Sequence, residues 1–187
     1  NNEKSIHNIR NFAAKPRFLI GWYENWIDRK VLHSVKRFIG VSKCCAESLR
    51  VRPELSESNK IQHIYNGTPV DSYDLNKKHE INLRDKLGIG DDPFCLMLAT
   101  YELRKGYEFI FNVFKLINSS QKNIHLVVCG DSTFKEKNRV ISMRDKIAPN
   151  CNIHLLDFIQ NGKNLIQQSN VLVVPSQEWE SFGWTVI

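Results

Sequence analysis

Two hydrophobic patterns alternate along residues 94–174. Phe94, Cys95, Leu96, Met97, Leu98 and Ala99 form an unbroken apolar run. Such a run marks a strand buried on both faces, the usual state of a strand in a parallel sheet. Residues 107–117 then carry Phe109, Ile110, Val113, Phe114 and Ile117 at helical spacing. The alternation continues as a strand over 124–129 closed by Gly130, a helix over 136–147 and a strand over 153–156. A short helix over 162–168 follows, then a strand over 171–174 ended by Pro175 and Ser176. A further helix is predicted to begin near Glu180. Strand and helix in alternation predict parallel strands with right-handed crossovers, which is a doubly wound, Rossmann-like α/β domain.

The first third is less regular. Residues 19–35 mix aromatic and aliphatic positions with charges and predict one amphipathic helix or two short ones. Residues 37–41 read as a short strand, Ser42 as an N-cap, and residues 43–50 as a helix stopped by Pro53. A second short strand is predicted over 61–65. Asn66 and Gly67 then predict a turn in which Gly accepts a positive φ. Residues 69–82 are polar and read as a linker. The expected division is a remnant of one domain over 1–65 and a second domain over 66–187. The chain opens without Met and has no apolar run long enough to span a membrane. Both ends are expected to be cuts in a longer protein.

Charge sharpens this division. The net charge is +6. Residues 1–65 carry 12 Lys and Arg against 6 Asp and Glu, whereas residues 66–187 carry 14 of each. A basic first third beside a neutral domain suits an anionic acceptor or lipid surface, or is simply a solvated basic face. Nucleic acid is disfavoured, because the basic residues are scattered and no binding module is recognisable. The five cysteines (Cys44, Cys45, Cys95, Cys129 and Cys151) lie mostly in apolar runs and read as buried free thiols of a reducing compartment. No pair of them has zinc-ligand spacing backed by a second pair, so no metal is expected.

In a doubly wound sheet, ligands bind beyond the carboxyl ends of the strands. Three polar clusters fall there. Arg104, Lys105 and Gly106 stand where the first strand's loop meets its helix. A cation beside unpaired helix-terminal N–H groups makes a phosphate site, though the same triplet also suits a solvated helix start. Glu180, Ser181, Phe182 and Gly183 occupy the matching place after the fourth strand. A carboxylate there can hold sugar hydroxyls and free amides can hold an anion, or the Glu merely complements a helix dipole. Gly130 and Asp131 read as a turn and a cap first. The chain has no GxGxxG, Walker, GxSxG or paired-histidine motif, which argues against dehydrogenases, P-loop enzymes and α/β hydrolases.

Together these stretches resemble glycosyltransferase family 4, retaining enzymes of the two-domain GT-B fold. Gly40-Val41-Ser42 before a helix resembles the last strand of the family's N-terminal domain. The run from Ile64 to Asp71 resembles its Asn-Gly-x-Asp crossing between domains, with one extra residue before the Asp. Tyr101 to Gly106 resembles the Lys-Gly donor-phosphate loop. Pro175 to Gly183 resembles the most specific motif. The likeness covers roughly residues 37–187 and implies an incomplete C-terminal domain with a remnant of the N-terminal one.

The resemblance implies roles. Lys105 contacts the donor diphosphate with Arg104 assisting, and Gly106 allows close approach. Glu180 is the first of two Glu separated by seven residues and lies near the donor sugar. Ser181, Phe182 and Gly183 present backbone amides to the sugar-phosphate. Phe158 and Ile159 lie near the nucleotide base. The implied reaction is metal-independent transfer of a sugar from a UDP-, GDP- or ADP-sugar to an acceptor hydroxyl with retention, without a cofactor. The implied setting is surface polysaccharide or glycoconjugate synthesis on a carbohydrate or lipid-linked acceptor, in the cytoplasm or at the inner face of the membrane. Two departures stand out. Thr100 occupies the place of an Arg common in the family, and the second Glu would follow Ile187. Residues 1–187 are therefore expected to be inactive alone. A nucleotide-sugar epimerase of the same fold and a non-catalytic α/β binding module are the rival readings.

Overall fold

The computed structural model describes residues 6–9, 26, 30, 34–52, 55–67, 80–120, 123–177, 183 and 185. The chain divides into two compact units, Asn1–Thr68 with Trp179–Trp184, and Pro69–Glu178 with Thr185–Ile187.

The first unit holds a three-stranded parallel sheet. Strands β1 (Ile6–Ile9), β2 (Arg37–Gly40) and β3 (Ile61–His63) lie in that order. Helix α1 (Lys43–Glu47) follows β2, and the Ser42 hydroxyl accepts from the Cys45 amide as its N-cap. The α-helix is shorter than the 43–50 expected. It tightens into a 3-10 turn over Ser48–Val51, where the Ser48 hydroxyl donates to the Cys45 carbonyl. Val35, Phe38, Ala46, Leu49, Leu55 and Ile61 form the core. Gly40 lets α1 close on β2, since a Cβ there would stand 2.6 Å from the Ala46 nitrogen. Strand β1 was not anticipated. Ile-His-Asn-Ile has no strand alternation, and only pairing with β2 makes it a strand. Of the helix expected over 19–35, Trp26, Lys30 and Ser34 are described and helical, and the remainder, apart from Val35, lies outside the described residues. Gly67 does not adopt the positive φ expected of it.

The second unit is built on strands β4 (Phe94–Leu98), β5 (His125–Cys129), β6 (Ile153–Leu156) and β7 (Val171–Leu172). Their order in the sheet is β6-β5-β4-β7 and every pairing is parallel. All five residues of β5 are buried. Leu126 and Val128 face a core shared with Tyr107, Ile110, Phe111, Phe114 and Val140. Those five come from α3 (Tyr107–Ser119) and α4 (Phe134–Ile147). Val127 and Cys129 face the opposite core, shared with Leu83, Phe94, Leu96 and Leu165. That side carries α2 (Leu83–Leu87) and α5 (Lys163–Ile166). Each fully buried aliphatic side chain contributes about 1.5–3 kcal/mol relative to exposure, so a strand filled on both faces anchors both helical layers.

Boundaries moved for identifiable reasons. Helix α4 starts at Phe134 rather than 136, because Thr133 and Glu136 form a reciprocal capping box. Asp131, expected as a cap, instead accepts from the Ser132 amide. Helix α2 was not anticipated, although Asn82 caps its start and Gly88 ends it at φ 64. Gly130 is needed for close approach rather than for a turn conformation: a Cβ there would stand 1.9 Å from the Ala99 carbonyl oxygen. All five cysteines are free thiols, but Cys44 is exposed, contrary to the expectation of burial. Burial pushes the Cys129 thiol up to about 11, so it is inert as a nucleophile at neutral pH.

A polar cluster closes the amino end of β5 and β6. His125 Nδ1 lies 2.9 Å from His154 Nε2, and His125 Nε2 lies 3.5 Å from Asp92. Burial, then the neighbouring His125 and Arg144, hold His154 below the ordinary histidine range. The unfolded chain therefore binds a proton at His154 near pH 6.5 while the folded chain does not. Stability is full above that pH and falls as pH drops through it towards the folded value. The melting temperature of the wild type should fall between pH 7.5 and 5.5, and His154→Asn should flatten that slope. Equal slopes would remove His154 as the cause. Separately, Gly130→Ala must force β4 and β5 apart and should cost about 2 kcal/mol or more in chemical denaturation.

Candidate functional site

The order β6-β5-β4-β7 contains a reversal. The chain steps outward from β4 to β5 to β6, then returns to lay β7 on the other side of β4. The loops leaving β4 and β7 therefore emerge at the carboxyl edge on either side of the switch point, and the crevice at such a point is where doubly wound sheets bind ligands.

The β4 loop turns through a 3-10 segment, Leu103–Lys105, and reaches Gly106 at φ 82. Only glycine adopts that backbone freely. Helix α3 begins at the next residue, so its first amides, which have no intrahelical acceptor, open beside Lys105. Gly106 has a second reason to be glycine. A Cβ there would stand 1.9 Å from the carbonyl oxygen of Pro175, in the loop after β7. The Gln177 amide donates to the Arg104 carbonyl at 3.1 Å. The two loops expected to share a ligand are thus stitched together along their backbones.

Electrostatics at this loop differ from the simple expectation of two cations. Arg104 Nε donates to Glu102 Oε2 at 2.6 Å, and Thr100 donates to Glu102 Oε1 at 2.8 Å. The Arg104 guanidinium, then the Thr100 hydroxyl, hold the Glu102 carboxyl below its ordinary range. Arg104 therefore braces the loop through Glu102, and the half-buried Lys105 supplies the loop's net charge. Thr100 stood out in the sequence only for replacing an Arg common in the family, and Glu102 had no role of its own; the fold shows both held together with Arg104.

At the end of β6, residues 155–161 line a cleft of about 590 Å³. Phe158 and Ile159 belong to it, together with Asn161 and Asn164. Glu80 and Lys86 close its other side from far earlier in the chain, which no local signal could reveal. Phe158 is exposed, as is Phe134 elsewhere in this unit. Asn161 holds φ 57, the one non-glycine residue with positive φ among those described. Because every strand is parallel, this cleft and the Arg104–Gly106 turn stand at the same edge of the sheet. Tyr101 and Lys137, also missed in the sequence, lie between them. The Tyr101 hydroxyl donates to the Leu156 carbonyl at 2.6 Å, and Lys137 pairs with Asp157.

Of the remaining candidates, Glu180, Ser181 and Phe182 lie outside the described residues. Gly183 has φ 76, again a glycine conformation. Thr185 donates to the carbonyl of Leu98, at the carboxyl end of β4. Among the described residues, no group of three or more His, Cys, Asp or Glu could hold a metal ion, and no helix is long and apolar enough to cross a membrane.

This fold recurs in solved glycosyltransferases. Anabaena Alr3699/HepE in complex with UDP aligns at a TM-score of 0.69 and 15% identity, over 97% of this chain and 49% of that one. A glycosyltransferase from Rickettsia africae aligns at 0.59 and 20% identity, over 96% and 47%. An α,α-trehalose-phosphate synthase from Burkholderia vietnamiensis aligns at 0.58 and 13% identity, over 89% and 44%. The chain thus spans less than half the length of these structures. No curated protein sequence matches it. The family model for glycosyl transferases group 1 matches residues 79–187, the stretch that holds the crevice, the cation and the cleft, and the chain belongs to that family.

Proposed function

We propose that this chain carries the donor-binding half of a retaining glycosyltransferase of family 4, which moves a sugar from a nucleoside diphosphate to an acceptor hydroxyl. The observation that supports this most is the closure of the β4 loop on the β7 loop. Gly106 against Pro175, and Gln177 bonded to Arg104, put Lys105 and the start of α3 beside the crevice. A diphosphate suits that position. Its charge meets the ammonium and the positive end of a 13-residue helix. The cleft bounded by Phe158 and Ile159 suits the base of the same nucleotide.

The chemical difficulty is the leaving diphosphate, on which charge develops as the glycosidic bond breaks. Lys105 and the amides of α3 meet that charge with groups already oriented, so little reorganisation is needed at the moment of reaction. Arg104 contributes by holding Glu102 and the turn, keeping Lys105 aimed. Glu180, with the amides of Ser181, Phe182 and Gly183, positions the sugar. In this scheme the chain's own cations do the work often given to a metal, and no cofactor takes part. The acceptor is a carbohydrate or a lipid-linked carbohydrate of surface polysaccharide or glycoconjugate synthesis. The 12 Lys and Arg of residues 1–65 favour an anionic membrane surface on the cytoplasmic side. Residues 1–187 alone transfer no sugar, because catalysis also requires the acceptor half of the enzyme.

Calorimetry with UDP, GDP and ADP on the 187-residue chain tests the donor reading. One of the three should bind in the millimolar range or tighter. Lys105→Ala should lose roughly 1.5–3 kcal/mol of that binding, the worth of a hydrogen bond to a charged group, while its melting temperature stays near wild type. Unchanged affinity in that variant would remove Lys105 from the phosphate site. In the full-length enzyme, turnover should persist in excess EDTA, and loss of activity that Mg²⁺ restores would overturn the metal-independent scheme.

A further inference from the structure

We infer that Tyr101 is a positioning residue that sets the spacing between the phosphate loop after β4 and the base loop after β6. The inference rests on the donor reading above, which assigns Lys105 to the diphosphate and Phe158 and Ile159 to the base. Tyr101 stands in the first of these loops, yet most of what it touches belongs to others. Its hydroxyl donates to the Leu156 carbonyl at 2.6 Å, two residues before Phe158, and lies 3.5 Å from the carbonyl of Val128. Its amide donates to the Asp131 carbonyl at 3.2 Å, in the loop after β5. Its ring stacks on Tyr107 at 5.6 Å and 18° and lies 5.8 Å beneath the ammonium of Lys137. Lys137 in turn pairs with Asp157, the residue between Leu156 and Phe158. One side chain therefore ties the carboxyl ends of β4, β5 and β6 together.

The position is built to hold. Tyr101 is 1% exposed, and burial raises its hydroxyl far above the ordinary tyrosine range, so it remains a proton donor at any physiological pH. Strands β4 and β6 are not neighbours, because β5 stands between them. The two ladders through β5 end at Leu98, Cys129 and Leu156, and no ladder joins the loop after β4 to the loop after β6. A donor with a base at one end and a diphosphate at the other needs both loops at a fixed separation. Two linked groups gain from binding together only when the sites match the span of the link. Tyr107 gives a contrast within the same cluster. Its hydroxyl donates to the carbonyls of Ala99 and Thr100, both in the β4 loop itself.

The experiment compares wild type, Tyr101→Phe and Tyr107→Phe by titration with three probes. These are the tightest binder among UDP, GDP and ADP, its free nucleoside, and inorganic pyrophosphate. The two weaker probes are followed by NMR at millimolar concentration. Tyr101→Phe should weaken the nucleoside diphosphate about tenfold while changing nucleoside and pyrophosphate less than about twofold, because only the linkage between the subsites is lost. Tyr107→Phe should leave that ratio unchanged even where it lowers the melting temperature. An unchanged ratio in folded Tyr101→Phe overturns the inference, as does an equal loss for all three probes, which marks a merely structural residue. Should Tyr101→Phe fail to fold, Lys137→Met carries the test at the contact over the Tyr101 ring, with a smaller selective loss of the diphosphate expected and no selective loss overturning it. A wild-type chain that binds none of the three nucleotides would instead overturn the donor reading and this inference with it.

Discussion

Burial of β5 on both faces is the constraint from which the second unit follows. A strand with all five residues inside must be covered above and below, and a hairpin partner cannot supply the cover. The chain can cover it only by running a helix between successive strands. That makes the strands parallel and sends every connection back over a face of the sheet. All the loops that leave strands then emerge at one edge. The crevice, the cation and the cleft share that edge because the hydrophobic pattern left no other place for the loops after β4, β6 and β7.

Backbone proximity refines this edge into a site. Gly130 lies against Ala99 and Gly106 against Pro175, each too close to admit a side chain. These two contacts pull the loops after β5 and β7 onto the loop after β4. Side-chain bonds then brace the result: Glu102 receives Arg104 and Thr100, and Tyr107 holds the carbonyls of Ala99 and Thr100. A loop braced this way holds its polar groups in fixed positions, which is the preorganisation the proposed diphosphate site requires. The opposite edge of the sheet is tied differently. His125, His154 and Asp92 close the amino ends of β5 and β6 with a titratable cluster. The two edges are thus tied by different means, backbone contact and a braced loop at one and a titratable cluster at the other.

Much of the second unit was legible before folding. Apolar runs marked β4, β5 and β6, and a 3.6-residue period marked α3. The strand expected over 171–174 pairs only over Val171–Leu172, short of the Pro175 that was read as its end. The triplet Arg104-Lys105-Gly106 also stood out, whereas the loop with Phe158 and Ile159 was named only through the family resemblance. Helix α2 was there to be read, with Asn82 and Gly88 at its ends, but five residues give too short a period to register. Strand β1 was not legible, because it owes its conformation to its partner β2.

What the sequence determined by itself was the class of fold and the chemistry available: parallel α/β, a cation at one crossover, a carboxylate at another. These depend on local periodicity and on residue type, both of which act over a few neighbours. The tertiary structure decided which groups meet. It gave Arg104 to Glu102, set Lys86 and Glu80 against a cleft some seventy residues downstream, and placed the hydroxyl of Tyr101 under β6. The last two pairings join residues far apart in the chain, brought together because β4, β5 and β6 lie side by side in one sheet. No local pattern encodes them, because they exist only once the sheet has closed.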